Sequence, residues 1–315
     1  MILPDALFNV KQTEAFSVEN SFSDALTSLA VNVTLSLHSL CTMATLTPKT
    51  PEPSQPSLIS TLSITFKRVV LSLQDYSYLL ADTLMKMVSP PIYFEETLEQ
   101  TDLIGVGSLP IILLTGLFIG GVMVLNTAQQ FRRFGETAIT GYAVALALVR
   151  ELGPVIAGLL VTGRNGSAIA SELGSMVVTE QVDAMRALGV DPVRKLVVPR
   201  VLATLISLPL LTAVADLVGL IGGYIISHFT LGLSAAEFWN QAIRALAFGD
   251  LVMGVTKPIV FALLISSIGC FYGLRTQGGT QGVGRSTTSA VVAGSITIII
   301  FDFFLQKLLM YWFVS

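Results

Sequence analysis

Apolar residues divide the chain into a Ser- and Thr-rich extension, one amphipathic segment and five long apolar stretches. Residues 1–57 are rich in Ser and Thr. They end in Thr47-Pro48-Lys49-Thr50-Pro51-Glu52-Pro53-Ser54-Gln55-Pro56, which reads as an extended linker. Within them, 25–46 is studded with Ser, Thr and Asn and lacks the basic start and clean apolar core of a secretory signal. From 58 onward Leu62, Phe66, Val69, Val70, Leu73, Tyr76, Leu79 and Leu80 recur at three- and four-residue steps, with Lys67, Arg68, Gln74 and Asp75 on other faces. The spacing predicts an amphipathic helix in the membrane interface, closed by Ser89-Pro90-Pro91, within a unit spanning 58–95.

A helix needs about 20 apolar residues to cross a bilayer. Residues 103–125 meet this with no charge, and 141–176 meet it while carrying Arg150, Glu151, Arg164 and Glu172. The stretch 201–227 holds only Asp216, 251–272 only Lys257, and 288–313 holds Asp302 and Lys307. The pattern predicts an all-α membrane protein with five crossings over 96–315, of which the second, long and carrying four charges, departs most from a simple crossing. Residues 234–248 predict a short amphipathic helix outside the membrane.

Composition agrees. The chain is 52% hydrophobic and 12% charged, with mean hydropathy +0.74. Soluble domains carry roughly 25% charged residues, so this much apolar surface calls for a bilayer as solvent. A net charge of −3 gives no broad basic face for nucleic acid. Cys41 and Cys270 form no CxxC pattern, and His38 and His228 are the only histidines, so no metal constellation can be built from Cys and His. No Ser/His/Asp or Cys/His set points to hydrolysis. The run from Gly278 to Arg285 lacks the Gly-Lys-Ser/Thr ending and the βαβ context of a phosphate loop, so it reads as a flexible turn before the last crossing. With no Walker A sequence anywhere, this chain is expected to bind no cofactor; any ATP-Mg belongs to a partner.

Basic residues orient the crossings. Arg186, Arg194, Lys195 and Arg200 follow the second crossing, and Arg275 and Arg285 follow the fourth, on the same side. Lys67 and Arg68 agree, whereas Arg132 and Arg133 disagree. The balance places the N-terminus in the cytoplasm, the C-terminus on the far side, and the polar segment after the second crossing in the cytoplasm.

Charges within a crossing cost about 2.5–3.5 kcal/mol each on insertion scales, so they must pair, line a wet cavity or touch ligand. Arg150 and Glu151 project about 100° apart on a helix and need different partners. Arg164, 14 residues on, returns to within roughly 40° of Arg150's face, about 21 Å along the axis. Lys257 is a natural partner for Glu151, and Asp302 for an arginine. Two readings remain open. Salt bridges that fix the bundle suit Arg164, Glu172, Asp216 and Asp302; the border of a cavity for an amphiphile's polar head suits Arg150, Glu151 and Lys257. Gly116, Gly120 and Gly121, with Gly219, Gly222 and Gly223, carry GxxxG spacing for close helix packing, with dimerisation through one of them as the alternative.

Several blocks carry a family resemblance. Asp183-Ala184 followed by Gly189 resembles the "E-A-A, three residues, G" loop by which ABC-importer permeases plug into their ATPase, with Asp for Glu and Met185 for the second Ala. Leu148-Val149-Arg150-Glu151-Leu152-Gly153-Pro154-Val155 resembles the RELGPV block of the MlaE family, the permease subunits of Mce-associated lipid ABC transporters. Thr162-Gly163-Arg164-Asn165-Gly166-Ser167-Ala168 is similar to its AGRxGSA block, and Ser171-Glu172-Leu173-Gly174-Ser175-Met176 to AEIGxM. Thr179-Glu180-Gln181, Asp191-Pro192 and Pro199-Arg200 resemble TEQ…DP…PR, and Ser207-Leu208-Pro209-Leu210-Leu211 and Gly284-Arg285-Ser286-Thr287-Thr288 complete the order. The likeness covers about 62–313.

The resemblance implies a homodimer with an interfacial helix and five crossings per subunit, in the inner (cytoplasmic) membrane. It implies a cytoplasmic ABC ATPase coupled through about 178–190, with Thr179, Glu180, Gln181, Asp183, Arg186 and Gly189 as contact residues. It further implies an Mce-domain lipid-binding protein on the outer side and a phospholipid held at the dimer centre, with Arg150, Glu151 and Lys257 in lipid contact or gating. Some relatives carry an N-terminal STAS-like domain; 57 residues are too few for one, which leaves a separate STAS-domain protein as a further partner. The alternative from another class is an ion-coupled carrier using Glu151, Asp216 and Asp302 as a relay.

Overall fold

The computed structural model describes residues 58–91 and 93–313; the extension over 1–57 lies outside the described residues. The amphipathic segment forms α1 (Leu58–Val88), which stops before Pro90-Pro91. Five long apolar helices follow: α2 (Phe94–Arg133), α3 (Thr140–Val178), α5 (Val193–Leu231), α7 (Phe248–Leu274) and α8 (Gly279–Phe313). Two short helices sit between them, α4 (Gln181–Ala187) after α3 and α6 (Ala235–Ala245) after α5. The described residues contain no strand. Each long helix has the length and apolar content to cross a membrane, and the chain is a multi-pass membrane protein.

The ends of the helices have local causes. Gly135, at φ 76°, closes α2 by turning its N–H and that of Glu136 back to the carbonyls of Arg132 and Phe131. Ser234 and Glu237 form a reciprocal capping box that starts α6. Asp250 accepts the Ala247 N–H at 2.9 Å and starts α7.

Packing follows the small residues. A Cβ at Gly120 would stand 1.7 Å from the Gly219 carbonyl oxygen, and one at Gly222 would stand 2.1 Å from that of Leu117. α2 and α5 thus touch backbone to backbone, and the GxxxG faces are used within the chain. Three apolar clusters fill the bundle. One joins α2, α3, α5, α7 and α8 around Phe261 and Leu208. One lies under α6 around Phe238, and one gathers Ile169, Leu173, Val182, Val197 and Cys270 beside α4.

Two expectations change. The glycine-rich run is not a flexible turn: Gly278 (φ 91°) and Gly279 (φ 67°) reverse the chain at once, and α8 is helical from Gly279. Gly282 lies so close to the Gln277 carbonyl that a Cβ would approach it to 2.0 Å, which packs the first turn onto the connection. The second crossing is one continuous helix, but it is interrupted by π-helical turns at Leu148–Leu152 and Thr162–Gly166. Such turns take an extra residue and shift every later side chain around the axis.

Candidate functional site

Two regions concentrate the polar residues. The first is α4, at the end of the bundle where α3 meets α5. Glu180, at φ 60°, reverses the chain after α3 and precedes two helical turns. Gly189, at φ 76°, ends them, donating to the Arg186 carbonyl. Val182 is buried and Met185 packs against the same cluster, which pins one side of α4. Thr179, Glu180, Gln181, Asp183, Arg186 and Gly189 are exposed. Leu188 is 81% exposed among them, an apolar side chain that nothing among the described residues covers. The Asp183–Arg186 pair, at 3.1 Å, is open to solvent and contributes little to folding.

The second region is the set of charges inside the crossings. Arg150 donates through Nε to Asp250 Oδ1. Lys257, fully buried, meets Asp302 Oδ1 at 2.7 Å. The expected Lys257–Glu151 and Asp302–arginine pairings are therefore corrected. α7 and α8 run side by side, so the ammonium finds its carboxylate on α8, while Glu151 is exposed on α3 without an ion-pair partner among the described residues. Near Glu151, Leu152 lines an apolar groove of about 500 Å³ with Leu114, Phe118 and Val122 of α2.

Arg164 does not share a neighbour with Arg150. Arg150 turns to α7, whereas Arg164 Nη1 donates to Ser108 Oγ of α2 at 2.9 Å and its guanidinium lies on Gly107. Each arginine sits inside a π-turn, which changes the direction its side chain takes from the helix. Asn165 is held by the same patch of α2, donating to Ser108 Oγ at 3.1 Å and to the Ile104 carbonyl at 3.3 Å. Glu172 pairs with Arg200 at 2.8 Å, tying α3 to α5 near α4.

Asp216 departs from the salt-bridge reading. It is buried, and its Oδ1 has no hydrogen-bond partner among the described residues. That oxygen rests on Gly153, where a Cβ would come within 1.7 Å. Only glycine fits there, which gives the Gly of the Arg-Glu-Leu-Gly-Pro block a steric reason. The carboxyl borders an apolar cavity of about 370 Å³ lined by residues including Trp239, Leu246 and Val255. An acidic relay through Glu151, Asp216 and Asp302 finds little support: Asp302 is locked to Lys257 and Asp216 is set against Gly153.

Sequence reasoning missed Asp250, Lys86 and Ser108, and it named Asp191 and Asn165 only within family blocks, without a partner. Asp250 fell one residue before the apolar stretch that marked the fourth crossing, and its Ala-Phe-Gly-Asp spacing as a helix start was the available signal. Lys86 sits on an amphipathic helix, where a lysine looks like any solvated charge. It meets Asp82 at 2.6 Å and Asp191, just beyond α4, at 2.5 Å. Burial pulls the Lys86 ammonium down, but hydrogen bonds and charges from Asp191 and Asp82 outweigh it and hold it above its ordinary value. Burial likewise pushes Asp191 up, and its bonds to Lys86 and to the Val193 N–H outweigh that and hold it below the usual carboxylate range.

Comparison with known proteins places this geometry. The family described as Permease MlaE matches residues 97–308. A Rickettsia typhi protein named "Probable ABC transporter permease protein" is 40% identical over 223 residues, covering 71% of this chain and 86% of that protein. The chloroplastic protein TRIGALACTOSYLDIACYLGLYCEROL 1 of Arabidopsis thaliana is 41% identical over 223 residues, 71% of this chain and 64% of that one. The intermembrane phospholipid transport system permease protein MlaE of Haemophilus influenzae is 35% identical over 218 residues, 69% of this chain and 84% of that one. The family match runs from α2 into α8 and takes in α4 and the ion pairs of Arg150, Glu172 and Lys257, and the chain belongs to the MlaE permease family of ABC transporters.

Proposed function

We propose that this chain is the permease subunit of an ABC transporter that moves phospholipids or related lipids across or out of the inner membrane. It works as a homodimer, each copy seated through α4 on a cytoplasmic ABC ATPase that binds ATP-Mg, and an Mce-domain lipid-binding protein docks on the opposite side. A STAS-domain protein is a further candidate partner. The observation that carries the reading is α4: a two-turn helix anchored through Val182, with Glu180, Asp183, Arg186 and an 81% exposed Leu188 turned outward. A polar helix with an uncovered leucine is suited to a protein groove.

The orientation rests on the arginines and lysines at the α4 end, among them Arg194, Lys195 and Arg275. The lipid substrate rests on two supports. One is the name of the Haemophilus influenzae relative, an intermembrane phospholipid transport system permease. The other is the exposed Glu151 beside the apolar groove at Leu152, a polar contact next to a channel for acyl chains. Arg150 is partly exposed and can exchange Asp250 for a phosphate during transport, while Lys257, buried on Asp302, holds the helices that frame the path.

The test is lipid mass spectrometry on the purified complex, with transport measured in vesicles. Glu180→Lys with Asp183→Lys is expected to leave bound phospholipid in place and abolish ATP-driven transfer. Glu151→Ala is expected to lower transfer in an assembled complex. Unchanged transfer in both, or a preparation without bound lipid, overturns the reading.

A further inference from the structure

The C-terminal end of α1, the connection into α2, and the segment after α4 form one knot. Lys86 of α1 meets Asp191, two residues past Gly189, at 2.5 Å, and Asp82 holds the same ammonium from one turn earlier at 2.6 Å. Asp191 is fixed from its other side, since Oδ1 accepts the Val193 N–H at 3.0 Å at the start of α5. Arg194 Nη1 donates to the Pro90 carbonyl at 3.0 Å, and Lys195 lies over the Tyr93 ring at 5.6 Å. Met87 of α1 and Met185 of α4 pack on one apolar cluster with Val182 and Leu196. Farther along α1, Asp75 pairs with Arg275 at 3.0 Å and Tyr76 shares a hydrogen bond with Ser267 at 2.8 Å, so α1 is also gripped by the end of α7.

These contacts bridge separate elements. α4 is anchored mainly through Val182 and Met185, so a push on its outer face tilts it against the rest of the bundle. Beyond Gly189 the first rigid attachment is Asp191, and its charged partner lies on α1 rather than on a crossing. The chain then runs from α1 through Tyr93 directly into α2, whose outer face borders the groove next to Glu151.

We infer that the Lys86–Asp191 ion pair is a coupling latch that passes movement of α4 to the interfacial helix α1 and through it to α2. Lys86 and Asp191 are positioning residues: they touch neither nucleotide nor lipid, and they set how much lipid moves per ATP hydrolysed. The inference rests on the reading that α4 seats an ATPase. Lys86 is the better target, because Asp191 also starts α5. Asp191→Asn keeps an oxygen for the Val193 N–H and removes only the charge.

The test uses the full complex with its ATPase in phospholipid vesicles, measuring ATP hydrolysis and labelled-phospholipid transfer together. Lys86→Met and Asp191→Asn are expected to assemble and hydrolyse ATP as the unaltered protein does, with lipid moved per ATP reduced about two- to fivefold, the factor for one partly exposed ion pair. Lys86→Arg, which keeps the charge, is expected to retain most of the ratio. An unchanged ratio in both charge-removing variants overturns the latch. So does a parallel fall of assembly, hydrolysis and transfer, which marks the pair as purely structural. Absence of ATP-driven transfer in the unaltered complex instead overturns the function on which the latch rests.

Discussion

Replacing Gly120 by alanine tests the packing of the bundle most sharply. The new Cβ would stand 1.7 Å from the Gly219 carbonyl oxygen and 2.5 Å from its carbon, both backbone atoms that no rotamer change can move. A carbon-to-oxygen contact relaxes only at about 3.3 Å, so α2 and α5 must separate by more than an ångström at their tightest crossing. That separation loosens the neighbouring close contacts, Gly116 on Ala215 and Gly222 on Leu117. Overpacking of this kind costs about 1–3 kcal/mol, which raises the unfolding constant roughly fivefold to 150-fold. Gly163→Ala is the control: it also lies in a helical stretch, but its Cβ would meet nothing within 4 Å. Denaturant titration of the purified protein, followed by circular dichroism, compares the two. Gly120→Ala is expected to unfold at clearly lower denaturant and Gly163→Ala at the same or slightly higher denaturant. Equal midpoints would refute the backbone-to-backbone crossing.

Other outcomes follow from single contacts. Lys257→Met strands Asp302 and is expected to destabilise the bundle by about 3–5 kcal/mol, while Lys257→Met with Asp302→Leu recovers most of the loss; the same titration reads both. Gly153→Ala drives a methyl into the Asp216 carboxyl and should prevent stable folding, and Asp216→Ala in the same chain should restore yield by clearing that oxygen. The Lys86–Asp191 latch has a wide pH window. The depressed carboxyl is charged at any pH above its ordinary value of 3.8, and the raised ammonium is charged at any pH below 10.5. Stability from the carboxyl is lost as pH falls through its lowered folded value, and stability from the ammonium as pH rises through its raised one. Lipid moved per ATP is therefore expected to be flat between about pH 6 and 9; a step in that range that Lys86→Met abolishes would contradict the pairing.

The crossings were readable because apolar runs of bilayer length survive single charges such as Asp216 and Lys257. α6 was legible from its amphipathic spacing, and α4 from its polar composition between two apolar runs. The partners of the buried charges were not legible. Sequence spacing assumes a uniform helix, and the π-turn that holds Arg150 and Glu151, with the one that holds Arg164, sends those arginines to α7 and α2 respectively. Lys257 was assigned to Glu151 by opposite sign alone, whereas the side-by-side packing of α7 and α8 gives it Asp302. The glycines around 278–284 show the same limit. Only Gly278 and Gly279 take positive φ, and the later ones serve packing inside α8 or face open space.

The central claim is that ATP hydrolysed by a partner seated on α4 drives phospholipid past Glu151. Its most direct measurement is transfer of a labelled phospholipid between vesicles holding the complex and acceptor vesicles, with ATP supplied in the absence of any ion gradient. The account predicts transfer that requires ATP and disappears in the Glu180→Lys, Asp183→Lys protein. Transfer driven by a proton or sodium gradient alone, indifferent to ATP and to those two substitutions, would contradict it.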